Sequence, residues 1–330
     1  MTTSFHEPGG VDPGGIDRPP PNTPVAGGPG DGPPGGPGGG LEGGQVTGPR
    51  AGWRLALSSF VENKLAVAGS AIVVFFIGFC FLGPFLYHTN QINTNVLNAF
   101  QSPGSGHPLG TDGNGFDELG RIMRGGQSAL EIGLFSSVIA TLIGTLVGAV
   151  AGLVGGILDA FLMRIVDVLL SIPILLVVLI VSAHYGASVF RLSLIIGIFS
   201  WLGSARLVRG EVLSLRVRDF VLAARTMGAS RQRLIYKHLI PNAMSVVIVN
   251  TTFQVADAIG LLALLGFLGF GLNYPAVDWG DMLSGGLEYL QDGYWWLVYP
   301  VGICLVLVIM AFNFIGDAMR DTVDSRLRKR

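Results

Sequence analysis

Charge is scarce in this chain of 330 residues: 13% are charged, and only three are lysine, Lys64, Lys237 and Lys329. None of the three follows a glycine, so the Gly-x4-Gly-Lys-Ser/Thr loop that cradles nucleotide phosphates is absent. There are two cysteines, Cys80 and Cys304, both inside apolar runs, which predicts small buried hydrophobes and no disulfide. Five scattered histidines make no metal set. His107 and Asp112 are closely spaced, but Pro108 and Gly110 between them oppose the helix that would bring both to one face. Nucleophile motifs, carboxylate pairs with a clear role and cofactor fingerprints are also missing. The chain is therefore expected to be no enzyme, to hold no cofactor or metal, and to bind no nucleic acid.

What the chain has is apolar sequence. Half of its residues are hydrophobic, which places it with integral membrane proteins. Residues 1–50 are the exception: 16 Gly and 11 Pro cannot build a core, so this stretch is expected to be a disordered tail. No apolar stretch precedes position 65, so the tail does not read as a signal peptide. Over 51–64, Trp53, Leu57, Phe60 and Val61 share one side of a helix, which suits either an interfacial helix or an extension of the first span.

Uncharged runs at 65–87, 132–158, 168–190, 239–256 and 293–316 each approach the roughly 20 residues needed to cross hydrocarbon. A sixth, 192–205, reaches that length only if Arg191 and Arg206 snorkel to opposite interfaces. The 239–256 run continues past Asp257 to about 277, enough for a further re-entrant or surface helix. Six spans are expected across 65–318, followed by a short tail over 319–330. With the N-terminus inside, 18 of the 21 basic residues fall on the cytoplasmic side and only Arg121, Arg124 and Arg191 fall outside, so both termini and the 206–242 loop are expected in the cytoplasm. Asp159, Arg164 and Asp167 mark the turn between the second and third spans, with an Arg164–Asp167 ion pair at i and i+3. Pro173 and Pro300 are mid-span positions for bends or packed kinks.

Two polar stretches interrupt this pattern. Residues 215–242 read as two short amphipathic helices around Gly228, with Ser230 capping the second and Pro241 starting a new helix. The Ala223–Ala224 pair offers a flat surface to a protein groove, and Arg225, Arg231 and Arg233 suit carboxylates or lipid phosphates at its rim. An ordinary basic loop accounts for the composition equally well. On the fifth span, Asn250, Gln254 and Asp257 recur at i, i+4 and i+7 on one helix side. An acid well inside a span is costly without water or a partner, so this face lines either a pathway or a subunit interface.

The order of residues in the loop resembles the EAA loop of ABC importer permeases: Ala223-Ala224, three residues, Gly228-Ala229, then His238-Leu239-Ile240-Pro241. Leu222 stands where the motif has Glu. HPLGTD at 107–112, LLGFLGFGL at 264–272 with Pro275 and Trp279-Gly280, and NFIGDAMRDTVDSRL at 313–327 resemble the same family, the permeases of dipeptide, oligopeptide and nickel importers, in the second of their two paralogous membrane subunits. The link at 113–126 is altered or extended, and no role is carried onto Asp117. The resemblance implies an all-α polytopic fold of the type I importer kind, with a cytoplasmic coupling helix. It implies a plasma-membrane subunit that pairs with a paralogous permease, two ATPases that bind ATP and Mg, and an extracytoplasmic binding protein. Residues Ala223, Ala224, Arg225, Gly228, Ala229, Arg231, His238 and Pro241 would then meet the ATPase. Small peptides are the implied substrate, with nickel or another small solute as the alternative. A self-contained carrier would call for internal repeats, and none is visible between the halves.

Overall fold

A computed structural model describes residues 60–328. The expected tail at 1–50 and most of the 51–64 helix lie outside the described residues. Among those described, the chain is almost wholly helical and contains no strand, only two isolated bridges in the 104–117 loop.

Five helices are long and apolar enough to cross a membrane. They are α1 (Lys64–Leu86), α2 (Glu118–Val154), α5 (Val189–Leu215), α7 (Arg231–Phe267) and a segment, Trp295–Thr322, whose long helix is α9 (Tyr299–Arg328). A sixth span is a broken one, α3 (Gly156–Leu170) followed by α4 (Ile174–Tyr185), bent by 69°. The bend falls at Pro173, which has no N–H for a helical bond and pushes the residue before it out of the helical region. Five helices thus have spanning length, and the count reaches the expected six when the bent pair is taken as one span, the third. The 192–205 run sits inside one continuous helix of 27 residues and has no need of arginines at opposite interfaces. Shorter helices α6 (Asp219–Thr226) and α8 (Trp279–Leu287) lie at opposite ends of the bundle.

The second span begins fourteen residues before its uncharged run. Asp117 caps α2, accepting from the Gly120 N–H at 2.9 Å, and the helix absorbs Glu118, Arg121 and Arg124 before the apolar part starts. It ends at Gly155-Gly156, where positive φ values of 66° and 60° turn the chain straight into α3. Asp159, Arg164 and Asp167 therefore lie on a helix rather than in a turn. The expected Arg164–Asp167 pair is not what forms. Asp167 pairs with Arg206, and Asp159 accepts from Arg209 Nε at 2.5 Å and Nη2 at 2.7 Å, tying α3 to α5. Arg209 meets Asp159 with a planar two-donor fork, and Arg206 meets Asp167 through one nitrogen, so both acids of α3 are paired with α5.

The closest packing joins α2 and α5. Gly144, Gly148 and Gly152 recur every four residues on α2, and a Cβ on them would lie 2.4 Å from Ser204 Cβ, 2.5 Å from the Ala205 carbonyl oxygen and 2.8 Å from a Val212 methyl. Small residues let the backbones touch, the usual way helices associate where no water drives them together. The main core draws on α1, α2, α4, α5, α7, α8 and α9. Trp279, 1% exposed, sits flat over Gly125 and Gly126, and its indole N–H donates to the Ile122 carbonyl at 3.0 Å.

Candidate functional site

At the arginine-rich end of the bundle, the chain leaves α5 and forms α6, Gly228 and the start of α7. Asp219 sits in the first turn of α6 and Arg225 in the last, as the helix dipole favours. Gly228 has φ +82°, left-handed backbone that glycine adopts without cost, and nothing lies within 4 Å of where its Cβ would be. Ser230 then caps α7, its Oγ accepting from the Arg233 N–H at 3.3 Å. The predicted hinge and cap are both present.

Pro241 stands in the first turn of the α-helical part of α7, Ile240–Phe267, as expected. That part follows without a break from a π-helical stretch, Leu234–Leu239, in which the Ile240 N–H reaches back to the Ile235 carbonyl. Asn242 Nδ2 adds a bond to the His238 carbonyl at 2.5 Å.

The loop is fastened by its apolar side. Val221, Ala224, Leu234, Ile235 and Leu239 are buried against Leu153 on α2 and Val208, Val212 and Leu215 on α5. Arg216 Nη1 donates to the Gly152 carbonyl at 3.0 Å, satisfying the end of α2. This splits the expected alanine pair. Ala223 is exposed, while Ala224 is 5% exposed and packs inward. Arg225, Gly228, Arg231 and Pro241 are exposed with Ala223, whereas Ala229 and His238 are half-buried. Leu222, Met227 and Tyr236 leave 44%, 81% and 63% of their surfaces open, so the outward face is apolar with a basic rim. This fits helices fixed at the bundle and presented to a partner.

The second polar feature opens along α7 as a cavity of about 740 Å³, walled by Pro173, Ser200, Ser204, Asn250, Gln254 and Asp257, among others. The helical spacing places the three predicted residues together, as expected, but their situations differ. Asn250 Nδ2 donates to Ser204 Oγ at 2.7 Å, and Gln254 Nε2 donates to the same hydroxyl and to the Ser200 carbonyl at 3.3 Å. Thr141 Oγ1 reaches Gln254 Oε1 at 3.4 Å. Asp257 is exposed on this chain and has no hydrogen-bond partner among the described residues. Asn250 and Gln254 therefore stitch α7 to α5 and α2, and Asp257 is the group left facing the opening.

Residues at the opposite end of the bundle carry roles that sequence reading missed. Asp117 is 3% exposed and collects three donors: the Gly120 N–H, the Tyr87 hydroxyl at 2.9 Å and His107 Nδ1 at 2.9 Å. His107 thus pairs with Asp117, and no helix joins it to Asp112, as Pro108 and Gly110 lead one to expect. Desolvation first, then the bond to Asp117, pushes the Tyr87 phenol up to about 12. Asp278 is fully buried, caps α8 through the Asp281 N–H at 2.8 Å and accepts from the Leu272 N–H at 2.8 Å. Burial raises its pKa, and the backbone donors work against that rise. The N-cap position of Asp278 just before Trp279 was a readable signal. Asp117 lay in the stretch that departs from the family pattern.

Comparison with known proteins agrees along the chain. A model described as "Binding-protein-dependent transport system inner membrane component" matches residues 144–329, and one described as "N-terminal TM domain of oligopeptide transport permease C" matches residues 52–103. The oligopeptide transport system permease protein OppC of Bacillus subtilis is 38% identical over 84% of this chain and 90% of its own length. The dipeptide transport system permease protein DppC of Alkalihalophilus pseudofirmus is 36% identical over 84% and 90%. A solved inward-facing methionine ABC transporter, MetNI, covers 61% of this chain and 95% of that chain, with 23% identity and a TM-score of 0.45. With a family model spanning more than half of its residues and relatives matched along nine-tenths of their length, this chain belongs to the binding-protein-dependent transport system inner membrane components, alongside oligopeptide and dipeptide permease subunits.

Proposed function

We propose that this chain and a paralogous membrane subunit form the pathway through which small peptides, delivered by an extracytoplasmic binding protein, enter the cell. Two ATPase subunits would bind ATP and Mg and supply the work. The observation that carries this reading is the α6–α7 loop: two helical elements anchored on α2 and α5, hinged at Gly228, with an outward face that is apolar and rimmed by Arg225 and Arg231. Ala223 lets a partner approach the backbone of α6, and the buried Ala224, Leu234 and Leu239 carry its motion into the bundle. Ala229, His238 and Pro241 hold the entry into α7.

The distribution of basic residues supports a cytoplasmic position for this loop and both termini, in the plasma membrane. Lipid phosphates suit the remaining arginines. Closure of the ATPases would draw the loops of the two permeases together, tilt the helices fastened to them and open the side of α7 that carries Asp257. Asn250 and Gln254 keep that face packed while Asp257 meets the pathway.

The test is purification from the native membrane, in which ATPase subunits are expected to accompany the tagged chain. Transport persisting without any ATPase would overturn the reading. A sharper variant is Gly228→Leu. The left-handed backbone costs about 1–2 kcal/mol for a residue with a Cβ, enough to reset the hinge without unfolding the bundle. Membrane levels are expected to hold while ATP hydrolysis and peptide uptake come apart, and unaltered uptake would count against the coupling role.

A further inference from the structure

At the end of the bundle opposite the α6–α7 loop, the 88–117 segment and α8 enclose a cavity of about 360 Å³. Four carboxylates line it, Asp112, Glu118, Asp281 and Glu288, against one guanidinium, Arg121. Arg121 is already engaged: its Nε lies 3.5 Å from Asp112 Oδ2, and its guanidinium stacks over Phe116 at 5.2 Å. Glu118 is the unusual member. It is 2% exposed, on the first turn of α2, and its carboxylate has no hydrogen bond among the described residues. Burial pushes its carboxyl up to about 8, with the Arg121 charge opposing that rise, so a cation entering the cavity would favour the ionised form.

The remaining wall is aromatic. The Phe100 and Tyr289 rings pack at 4.7 Å between centroids, and both line the cavity. Phe100 takes φ 54°, a left-handed backbone rarely adopted by a bulky side chain, and Gly113 makes room for its ring, which would sit 2.8 Å from a Cβ there. Such strain persists where the surroundings enforce it. Carboxylates paired with aromatic faces suit an organic cation, which gains from both. The carboxylates do not suit a metal ion, since no three acidic, histidine or cysteine side chains among the described residues converge closely enough to share one.

We propose that this cavity binds a primary ammonium group, with Glu118 as its buried counter-charge and Phe100 and Tyr289 as its walls. The ammonium belongs either to the free amino terminus of a short peptide or to a lysine side chain of a docking protein. The site lies apart from the α6–α7 loop and from the cavity beside Asp257, and its ligand chemistry holds whether or not the chain moves peptides.

Calorimetric titration of the full chain in lipid nanodiscs tests it with four probes: tri-alanine, N-acetyl-tri-alanine, Nα-acetyl-lysine amide and magnesium chloride. Tri-alanine or the lysine amide is expected to bind at least tenfold more tightly than N-acetyl-tri-alanine. Preference for tri-alanine assigns the terminal amine as the source, and preference for the lysine amide assigns the side chain. Glu118→Gln is expected to weaken binding at least tenfold. Because a buried change can unsettle the fold, Gly285→Leu is the second variant. Gly285 lines the cavity with nothing within 4 Å of its Cβ position, so a leucine there directs its bulk into open space and is expected to abolish binding with melting unchanged. Equal binding of the acetylated peptide, binding only of magnesium, binding that survives both variants, or no binding of any probe would overturn the proposal.

Discussion

The α2–α5 seam gives the most exacting test of how the bundle is held. At Gly148 a Cβ would stand 2.5 Å from the Ala205 carbonyl oxygen and 2.9 Å from Val208 Cβ, against 3.4 Å where ordinary contact begins. The first neighbour is backbone in the middle of a 27-residue helix, so it cannot rotate away. Gly148→Ala therefore forces the helices apart by a large part of an ångström, at about 1–3 kcal/mol for an overpacked contact. Asp159–Arg209 and the polar bonds of Asn250 and Gln254 to Ser204 lie along the same side of α5 and would be stretched with it. The control is Gly210→Ala, on α5 itself, where nothing lies within 4 Å of the added carbon. Alanine there is expected to be neutral or to stabilise by up to about 1 kcal/mol through helix propensity. Thermal unfolding of both variants in detergent should show Gly148→Ala melting roughly 2–10 °C lower and Gly210→Ala at or above the parent. Equal melting of the two would refute backbone contact as the basis of the seam.

Three further outcomes follow from the same geometry. Asp159→Asn removes one half of a two-bond pair whose side chains are 13% and 32% exposed, and should cost about 1–3 kcal/mol, while Asp167→Asn, in a half-exposed pair, should cost under about 1 kcal/mol; chemical denaturation that ranks them the other way would contradict the burial argument. Tyr87 is raised from 10.0 to about 12 in the folded chain, so its contribution to stability is intact below pH 10 and drains away as pH climbs toward 12. Ultraviolet titration should show one late-ionising tyrosine that disappears in Tyr87→Phe, and a titration curve indifferent to that change would remove the bond to Asp117 from the account. Asp257→Asn should alter peptide uptake while the subunits still assemble, because Asp257 is the unpartnered member of its face. Normal uptake with failed assembly would assign it instead to the subunit interface.

Much of the molecule was written in local sequence. Apolar length gave the spans, since hydrocarbon requires about 20 residues without charge, and the phases of Asn250, Gln254 and Asp257 follow from 3.6 residues per turn. Gly228 and Ser230 announced their turn and cap because backbone freedom and side-chain capping are properties of single residues. Partner choice is a long-range matter. Asp159 and Asp167 had a nearby arginine in sequence and took Arg209 and Arg206 instead, because α3 folds back against α5 at the Gly155-Gly156 turn. Pro241 marked the start of the α-helix at Ile240, but not that a π-helical stretch over Leu234–Leu239 would join it to the preceding turn without a break. Sequence by itself determined which stretches are helical, which cross the membrane and which family they belong to. Only the tertiary structure decided which charges meet, which alanine of the pair faces outward, and that Glu118 is buried beside a cavity with no side-chain hydrogen bond among the described residues. Those outcomes depend on the meeting of segments tens of residues apart, which no local propensity encodes.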